Sequence, residues 1–356
     1  GNPQRLETFR SQEIQHYIRK QLQAAKINQG SVAEGRTLHL CFDADLPADA
    51  NKRLYAHVLE CSERQFSDAV RSASADNATL FVHVPNIRRS ELLSAIVDFK
   101  AAETTLELGG VPATDAGKDA QGAMEHRRND ADRTKKLILK EIFDAILVQL
   151  AGGSEVVGDT LTEQFENGGK KACERLYNEF KLADVKGWGT VYDRASKSAD
   201  ANALAAIGFN DEADKHPVCV AIKRFIGVMK TGAEIRDNFQ GAPYGWPKDT
   251  VDGALYAMLA AGVLKAADGQ EKPVDAKSLE RAKVGQTKFR PETVSLSTVQ
   301  LIKVRSLINA IGVSCTNGEE QSKLGQAITE AKQIARKAGG DAPLPLPPAT
   351  TRLNEL

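Results

Sequence analysis

The sequence lacks the short motifs that mark nucleotide-binding, zinc-binding and disulfide-stabilised proteins. No Gly-x-x-x-x-Gly-Lys-Ser/Thr segment occurs: Gly117-Lys118 has Pro112 where the first glycine should be, and Asp119 follows. The five cysteines are an odd number at wide spacings and include no Cys-x-x-Cys pair. These absences argue against a P-loop, a disulfide framework and a structural zinc site.

Long apolar runs and an excess of one charge are also missing. No stretch approaches the roughly 20 apolar residues that span a bilayer, and no signal-peptide pattern is present. The 47 basic and 47 acidic residues cancel, so no overall field attracts nucleic acid or an anionic membrane. We expect a cytoplasmic protein with no membrane partner, in which any DNA binding is local.

What is present is enough chain for two or three domains with ordinary cores. The 356 residues begin Gly-Asn-Pro without methionine, and they end at 352–356 in what resembles the start of a helix. We therefore expect a piece of a larger polypeptide.

The first half alternates short apolar strands with helices. This alternation predicts an entry helix within 1–35 and then a layered α/β domain over 36–189, with at least partly parallel strands. Strands are predicted at 37–42 and 79–84, helices at 50–74, 90–108, 122–144 and 160–183, a glycine-rich surface loop at 109–122, and a hairpin around Gly152-Gly153.

The second half is mostly helical. Residues 190–215, rich in Ala, Ser and Asp, are predicted to be a linker with short helices. Three helices followed by a strand and a turn at Asp268-Gly269 predict a winged-helix-like domain over 216–296, with a further strand at 293–296. A helical segment at 297–340 and a Pro-rich linker with the start of the next element at 341–356 complete the chain.

The stretch 241–264 is the most distinctive part of the second half. It opens with two prolines and a tryptophan and continues into a helix with apolar residues at helical spacing. Tyr244, Trp246 and Lys248 are candidate partner contacts, since aromatic side chains anchor many protein interfaces. The alternative is that the two aromatic rings pack beneath the loop against Phe239.

A basic strip at 277–290 is the candidate DNA contact. Its cations outnumber Glu280 by five to one, a local charge of +4, and such a strip can bind phosphates by releasing counterions. A mobile basic loop is the commoner explanation of such a strip. The presumed recognition helix starts with two acids against one lysine, which disfavours insertion into the major groove. The strip comprises Lys277, Arg281, Lys283, Lys288 and Arg290.

Residues 244–249 (Tyr-Gly-Trp-Pro-Lys-Asp), with Asp-Gly-Ala-Leu at 252–255 and Leu-Ala-Ala-Gly at 259–262, resemble a known family. The segment is similar to part of the large P-loop ATPase of bacterial bacteriophage-exclusion (BREX) systems, the BrxC-type component. The Ala-Gly-Gly-Asp-Ala-Pro-Leu-Pro tail at 338–345 resembles the same family, and the likeness is most specific over 216–356. It implies a multidomain ATPase that acts in phage defence with other BREX components, but its nucleotide-binding motif has no counterpart in this chain.

A metal-dependent hydrolase is the third hypothesis. Asp43 follows an apolar strand, as in a metal-supporting Walker B strand, and Asp45 and His83 are candidate neighbours. A helix-cap or turn role for such an aspartate is the commoner explanation, and the six histidines show no ligand-pair spacing. We assign no catalytic residue, metal ligand or cofactor.

Three functions therefore stand as hypotheses. The first is a non-catalytic scaffold of a phage-defence ATPase, which docks other BREX components or copies of itself. The alternative is sequence-independent DNA binding by the basic strip, coupled to ATP hydrolysis elsewhere in the protein. The third is the hydrolase.

Overall fold

The computed structural model describes residues 3–111, 113–292 and 298–338. The strand predicted at 293–296 and the Pro-rich segment predicted at 341–356 lie outside these residues. The chain divides into two compact units. The first comprises Gly1–Gln29 and Ala33–Asn178, and the second comprises Gly30–Val32 and Glu179–Leu356.

The first unit is a mixed α/β domain, as the alternation of strands and helices predicted. Its helices are α1 (Pro3–Ala24), α2 (Glu63–Ser72), α3 (Arg89–Gly109), α4 (Asp115–Asp144) and α5 (Leu161–Leu176). Its strands are β1 (Asn28–Gln29), β2 (Glu34–Gly35), β3 (Leu38–Cys41), β4 (Leu54–Glu60), β5 (Leu80–Val84), β6 (Leu147–Leu150) and β7 (Ser154–Glu155). Strands β3 to β7 form one sheet in chain order, in which β3, β4 and β5 are parallel and β6 and β7 antiparallel.

The helix predicted over 50–74 is wrong in its first half. Residues 54–60 form β4, which pairs with β3 on one side and β5 on the other. Five consecutive β4 residues are buried because both faces of the strand are covered, and such a run has no period that separates strand from helix. The true helix, α2, begins after Ser62, whose side chain and that of Gln65 form a capping box.

The surface loop predicted at 109–122 is also shorter than expected. Helix α4 starts at Asp115, because the Thr114 hydroxyl accepts a hydrogen bond from the Gly117 N–H at 3.1 Å and so caps the helix. Helices α3 and α4 pack along each other as a helical hairpin. The predicted hairpin around Gly152 and Gly153 is confirmed as the β6–β7 pair.

The second unit contains further helices and a small antiparallel sheet. Its helices are α6 (Trp188–Ser198), α7 (Pro217–Ile226), α8 (Gly232–Gln240), α9 (Lys248–Ala260), α10 (Thr298–Ala310) and α11 (Glu320–Ala338). Its strands are β8 (Lys230–Thr231), β9 (Leu264–Ala267), β10 (Pro273–Val274) and β11 (Lys288–Pro291), in the spatial order β10-β9-β11-β8. Short 3-10 helices occur at Phe180–Ala183, Ala203–Ile207, Ala213–Lys215 and Arg281–Gln286.

Helix α9 lies at the centre of the second unit, and α6 packs along it. The short helices predicted within 190–215 are present, because most of α6 and two 3-10 helices fall within that range. The range is nevertheless part of the second unit, since α6 packs along α9. Small side chains at Ala195, Ala199 and Ala203 are almost fully buried. An alanine-rich composition therefore indicates close helix packing here, although it resembles the composition of a linker.

No helix among the residues described is long and apolar enough to cross a membrane.

The close approach of α6 and α9 generates a stability prediction. A Cβ atom added at Gly253 would lie 2.9 Å from the Trp188 carbonyl oxygen, so Gly253→Ala forces two helices apart. Overpacking of this kind costs about 1–3 kcal/mol, which exceeds the gain of about 1 kcal/mol in helix propensity. The urea unfolding midpoint should fall, measured by the fluorescence of the two tryptophans, Trp188 and Trp246, both in this unit.

The matched control is Gly325→Ala in α11, where an added Cβ atom meets no atom within 4 Å. That substitution should stabilise the unit slightly, by up to about 1 kcal/mol. Equal effects of the two substitutions would contradict the packing of α6 on α9.

Candidate functional site

The aromatic residues of the 241–264 stretch lie inside the second unit. Trp246 is 1% exposed, its ring stacks on Phe239 at 4.7 Å, and its Nε1–H donates to the Glu179 carbonyl at 3.0 Å. Tyr244 is half-buried against the same two rings, whereas Lys248 is exposed at the start of α9. Of the three candidate partner contacts, Trp246 therefore packs as the alternative prediction proposed.

A fully buried carboxylate holds the centre of the site. Asp252 in α9 accepts hydrogen bonds from Nε of Arg236 at 2.8 Å and from Nε of Arg281 at 2.7 Å. Arg281 also pairs with Asp249, and its guanidinium lies 4.7 Å from the centre of the Tyr192 ring. Two charge-assisted hydrogen bonds offset the desolvation of the carboxylate and join α8, α9 and the 3-10 helix that begins at Arg281.

Ion pairs engage three of the five cations of the basic strip. Arg281 points inward to the two aspartates, Lys283 pairs with Glu280 at 2.9 Å, and Lys288 pairs with Glu271. Several of these carboxylates lie outside 277–290, so the local charge of +4 overstates the free positive charge.

The remaining two cations of the strip, Lys277 and Arg290, are exposed, as is Lys283 in its ion pair. Lys277 lies close enough to Glu319 to lower the pKa of that carboxyl, after the larger effect of its hydrogen bonds to Thr316. Arg290 has no ion-pair partner in the part of the chain that the structure describes. The five cations of the strip therefore do not form one continuous positive surface.

Helix α9 has almost no free surface with which to contact DNA. Ten of its thirteen residues are buried, and Lys248 and Asp249 at its first turn are the exposed ones. A recognition helix must present a continuous face of side chains to the major groove. The burial of α9 supports the expectation that this helix does not enter the major groove.

A groove of about 840 Å³ lies between the sheet and the α10–α11 pair. Its apolar wall includes Leu301, Val304 and Leu324. Its charged lining is mixed, because three cations face four carboxylates: Lys265, Lys288 and Arg290 against Glu271, Asp275, Glu292 and Glu320. The groove is therefore not selective for an anion by charge alone.

The candidate metal ligands of the first unit are not assembled into a donor set. Nε2 of His83 hydrogen-bonds the Cys61 carbonyl at 2.9 Å, and Nε2 of His57 hydrogen-bonds the Asp43 carbonyl at 2.9 Å. Asp43 and Asp45 are exposed beyond β3. Within the described ranges, no three His, Cys, Asp or Glu residues are grouped so as to hold a metal ion.

Sequence reasoning missed Arg236 and the role of Asp252. The available signal was the position of Asp252 next to Val251 and one turn before Tyr256 on an apolar helix, where an acid needs a cationic partner. It could not have identified which arginine, because the partners lie 16 and 29 residues away.

His216 was a second missed residue. It caps α7, because its Nδ1 accepts a hydrogen bond from the Val218 N–H at 3.2 Å. Its ring lies edge to face with Trp188 and Phe209, and burial lowers its pKa below the ordinary value of 6.5. The ring is therefore held neutral, with Nδ1 free to accept.

The Asp252 contacts generate the second prediction. Arg281→Met leaves the buried carboxylate with Arg236 alone, so the unfolding free energy of the second unit should fall by about 1–3 kcal/mol. The control is Lys283→Met, which breaks an exposed ion pair and should change stability by less than about 0.5 kcal/mol. Equal losses in tryptophan-monitored urea unfolding would show that Asp252 does not need its second arginine.

The third prediction concerns pH. Because the folded state lowers the pKa of His216, its contribution to stability is complete above about pH 6.5 and is lost as the pH falls below that value. Asn can also cap the helix but does not titrate, so we compare wild type with His216→Asn between about pH 7.5 and about pH 5. The wild type should lose more stability than the variant on acidification. Parallel pH profiles would exclude His216 as the titrating group.

Comparisons of this chain with models of protein families, with curated proteins and with solved structures find no match.

Proposed function

We propose that this chain is a non-catalytic interaction region of a large multidomain ATPase that acts in bacterial phage defence. The resemblance of 244–262 and 338–345 to the BREX P-loop ATPase supports the proposal that the chain belongs to that family. In this proposal, ATP is bound and hydrolysed elsewhere in the protein. The described region works in the cytoplasm and docks other BREX components or copies of itself.

The second unit would act as a winged-helix-like docking domain. Helices α7, α8 and α9 are followed by β9 and β11, which pair antiparallel, and β8 between α7 and α8 adds to the same sheet. The order of helices and strands supports a winged-helix arrangement over 216–296.

The observation that carries the docking role is the burial of α9. A winged helix that reads DNA needs an exposed recognition helix with free cations or amides. Here Arg281 engages Asp249 in the first turn, and Arg236 and Arg281 both engage Asp252 in the second. Most of the remaining helix is covered by its neighbours. Such a domain is suited to contact proteins through its periphery.

DNA binding is kept as the second candidate because three strip cations are exposed. Lys277, Lys283 and Arg290 present their side chains to solvent. A surface of this kind would contact phosphates without reading sequence.

The fourth prediction separates these two functions. If docking is the function, titration of the chain with duplex DNA should show no binding that depends steeply on salt. If the three exposed cations bind phosphates, log K should fall with log salt at a slope of about −3.

Substitutions then show whether the strip cations cause any DNA binding that is observed. The triple variant Lys277→Glu, Lys283→Glu and Arg290→Glu removes the exposed strip cations and leaves Arg281 in place. The control carries the same charge change at three other exposed lysines of the unit, Lys181→Glu, Lys186→Glu and Lys197→Glu. Salt-dependent binding that the first triple abolishes and the control retains would overturn the docking-only function.

A further inference from the structure

The α3–α4 hairpin ends in an arm that has no core of its own. Among the described residues of 103–130, which omit Pro112, no side chain is buried. Leu108 is 83% exposed and Val111, at the turn, is 96% exposed. Apolar side chains with this much exposure, close together at a tip, are costly in water unless a partner covers them.

The tip is also acidic. Over 103–125, five acidic residues oppose Lys118, a net charge of −4. Glu103 pairs with Lys100 and Asp115 with Lys118, which leaves three of the acids without a cationic partner among the described residues. The acidic residues are Glu103, Glu107, Asp115, Asp119 and Glu125. We refer to Leu108, Val111 and these acids as the arm tip. A partner for it should be apolar at its centre and basic at its rim.

The second unit carries a patch of this complementary kind at the end of α7. Val228 is 90% exposed, Met229 50% and Val220 45%. Arg224 lies one helical turn after Val220 and is exposed. Among the described residues, Arg224 has no carboxylate partner. We refer to these four residues as the α7 patch.

The segment that carries the α7 patch is basic. Residues 217–231 contain Lys223, Arg224 and Lys230 and no acidic residue, a net charge of +3. Lys223 lies 3.7 Å from Asp214 and Lys230 lies 3.2 Å from Glu234, which leaves Arg224 as the cation available to a partner.

We propose that the arm tip of one copy of this chain docks on the α7 patch of a second copy. Leu108, Val111 and Val228 are the three most exposed large hydrophobic side chains of the described chain, and their surroundings carry opposite charge. The inference rests on the proposed docking function and names the partner. Because the two surfaces differ, the contact is heterologous, and successive copies form a ring or a row.

Sedimentation velocity over a roughly hundredfold range of protein concentration tests the contact. A wide range is needed because a contact made by so few side chains binds weakly. The weight-average sedimentation coefficient should rise with concentration at low salt and rise less at high salt. Leu108→Asp and Val228→Asp should each weaken self-association about tenfold or more. Val157→Asp is the control, because Val157 is 75% exposed in the first unit outside the arm, and it should associate like the wild type.

A mixture of the two variants gives the sharpest result. A Leu108→Asp chain keeps its α7 patch and a Val228→Asp chain keeps its arm tip, so one intact contact can form between them. The mixture should give one-to-one dimers and nothing larger, at concentrations where each variant alone is monomeric. A contact of arm tip with arm tip would be abolished by Leu108→Asp, untouched by Val228→Asp and not restored by mixing.

Charge reversal tests the rims of the two surfaces. Glu107→Lys and Arg224→Glu should each weaken association, and a chain that carries both should regain part of it. Circular dichroism confirms that each exposed substitution leaves the fold intact. A wild-type chain that is monomeric at every concentration, or a mixture that forms no dimer, would overturn the inference. The proposed docking to other proteins would not be affected by that result, because the DNA titration tests it separately.

Discussion

The second unit depends on a buried carboxylate that would destabilise the fold without a cationic partner. Asp252 is fully buried on α9, and its charge is acceptable only because Arg236 and Arg281 donate to its two oxygens. Since the arginines come from α8 and from the 3-10 helix at 281–286, the same contacts fix both elements on α9. The Tyr256 hydroxyl, which donates to the Leu279 carbonyl at 2.7 Å, fixes the chain just before that helix. A central helix held in this way has little surface left for a partner.

Because α9 is covered in this way, the surface of the second unit is formed by its peripheral elements. In the second unit the exposed features include single cations such as Arg290, the apolar turn at Val228 and Met229, and apolar side chains of α10 such as Leu307. In the first unit His57 of β4 and His83 of β5 are hydrogen-bonded to backbone carbonyls of neighbouring loops, while α3 and α4 extend as an arm. These exposed surfaces support the proposed docking function.

Local signals predicted much of the fold. Amphipathic helices such as α5 and α7 and the Gly152-Gly153 hairpin were found, because helical periodicity and turn chemistry are properties of residues close together in sequence. Strand β4 was missed because a run buried on both faces has no period. Among the candidate site residues, the location of Trp246 was anticipated by the packing alternative, whereas the inward direction of Arg281 was not.

The sequence by itself determined the class of the fold and the charges available to it, because apolar period, turn residues and composition are local properties. It also determined that any cationic surface would be local, since basic and acidic residues are equal in number. Only the tertiary structure decided which charges are free. Arg281 and Arg290 lie in the same strip, yet one faces a buried aspartate 29 residues away and the other faces solvent. Ion pairing and burial depend on distances between elements that are remote in sequence, and no local pattern encodes those distances.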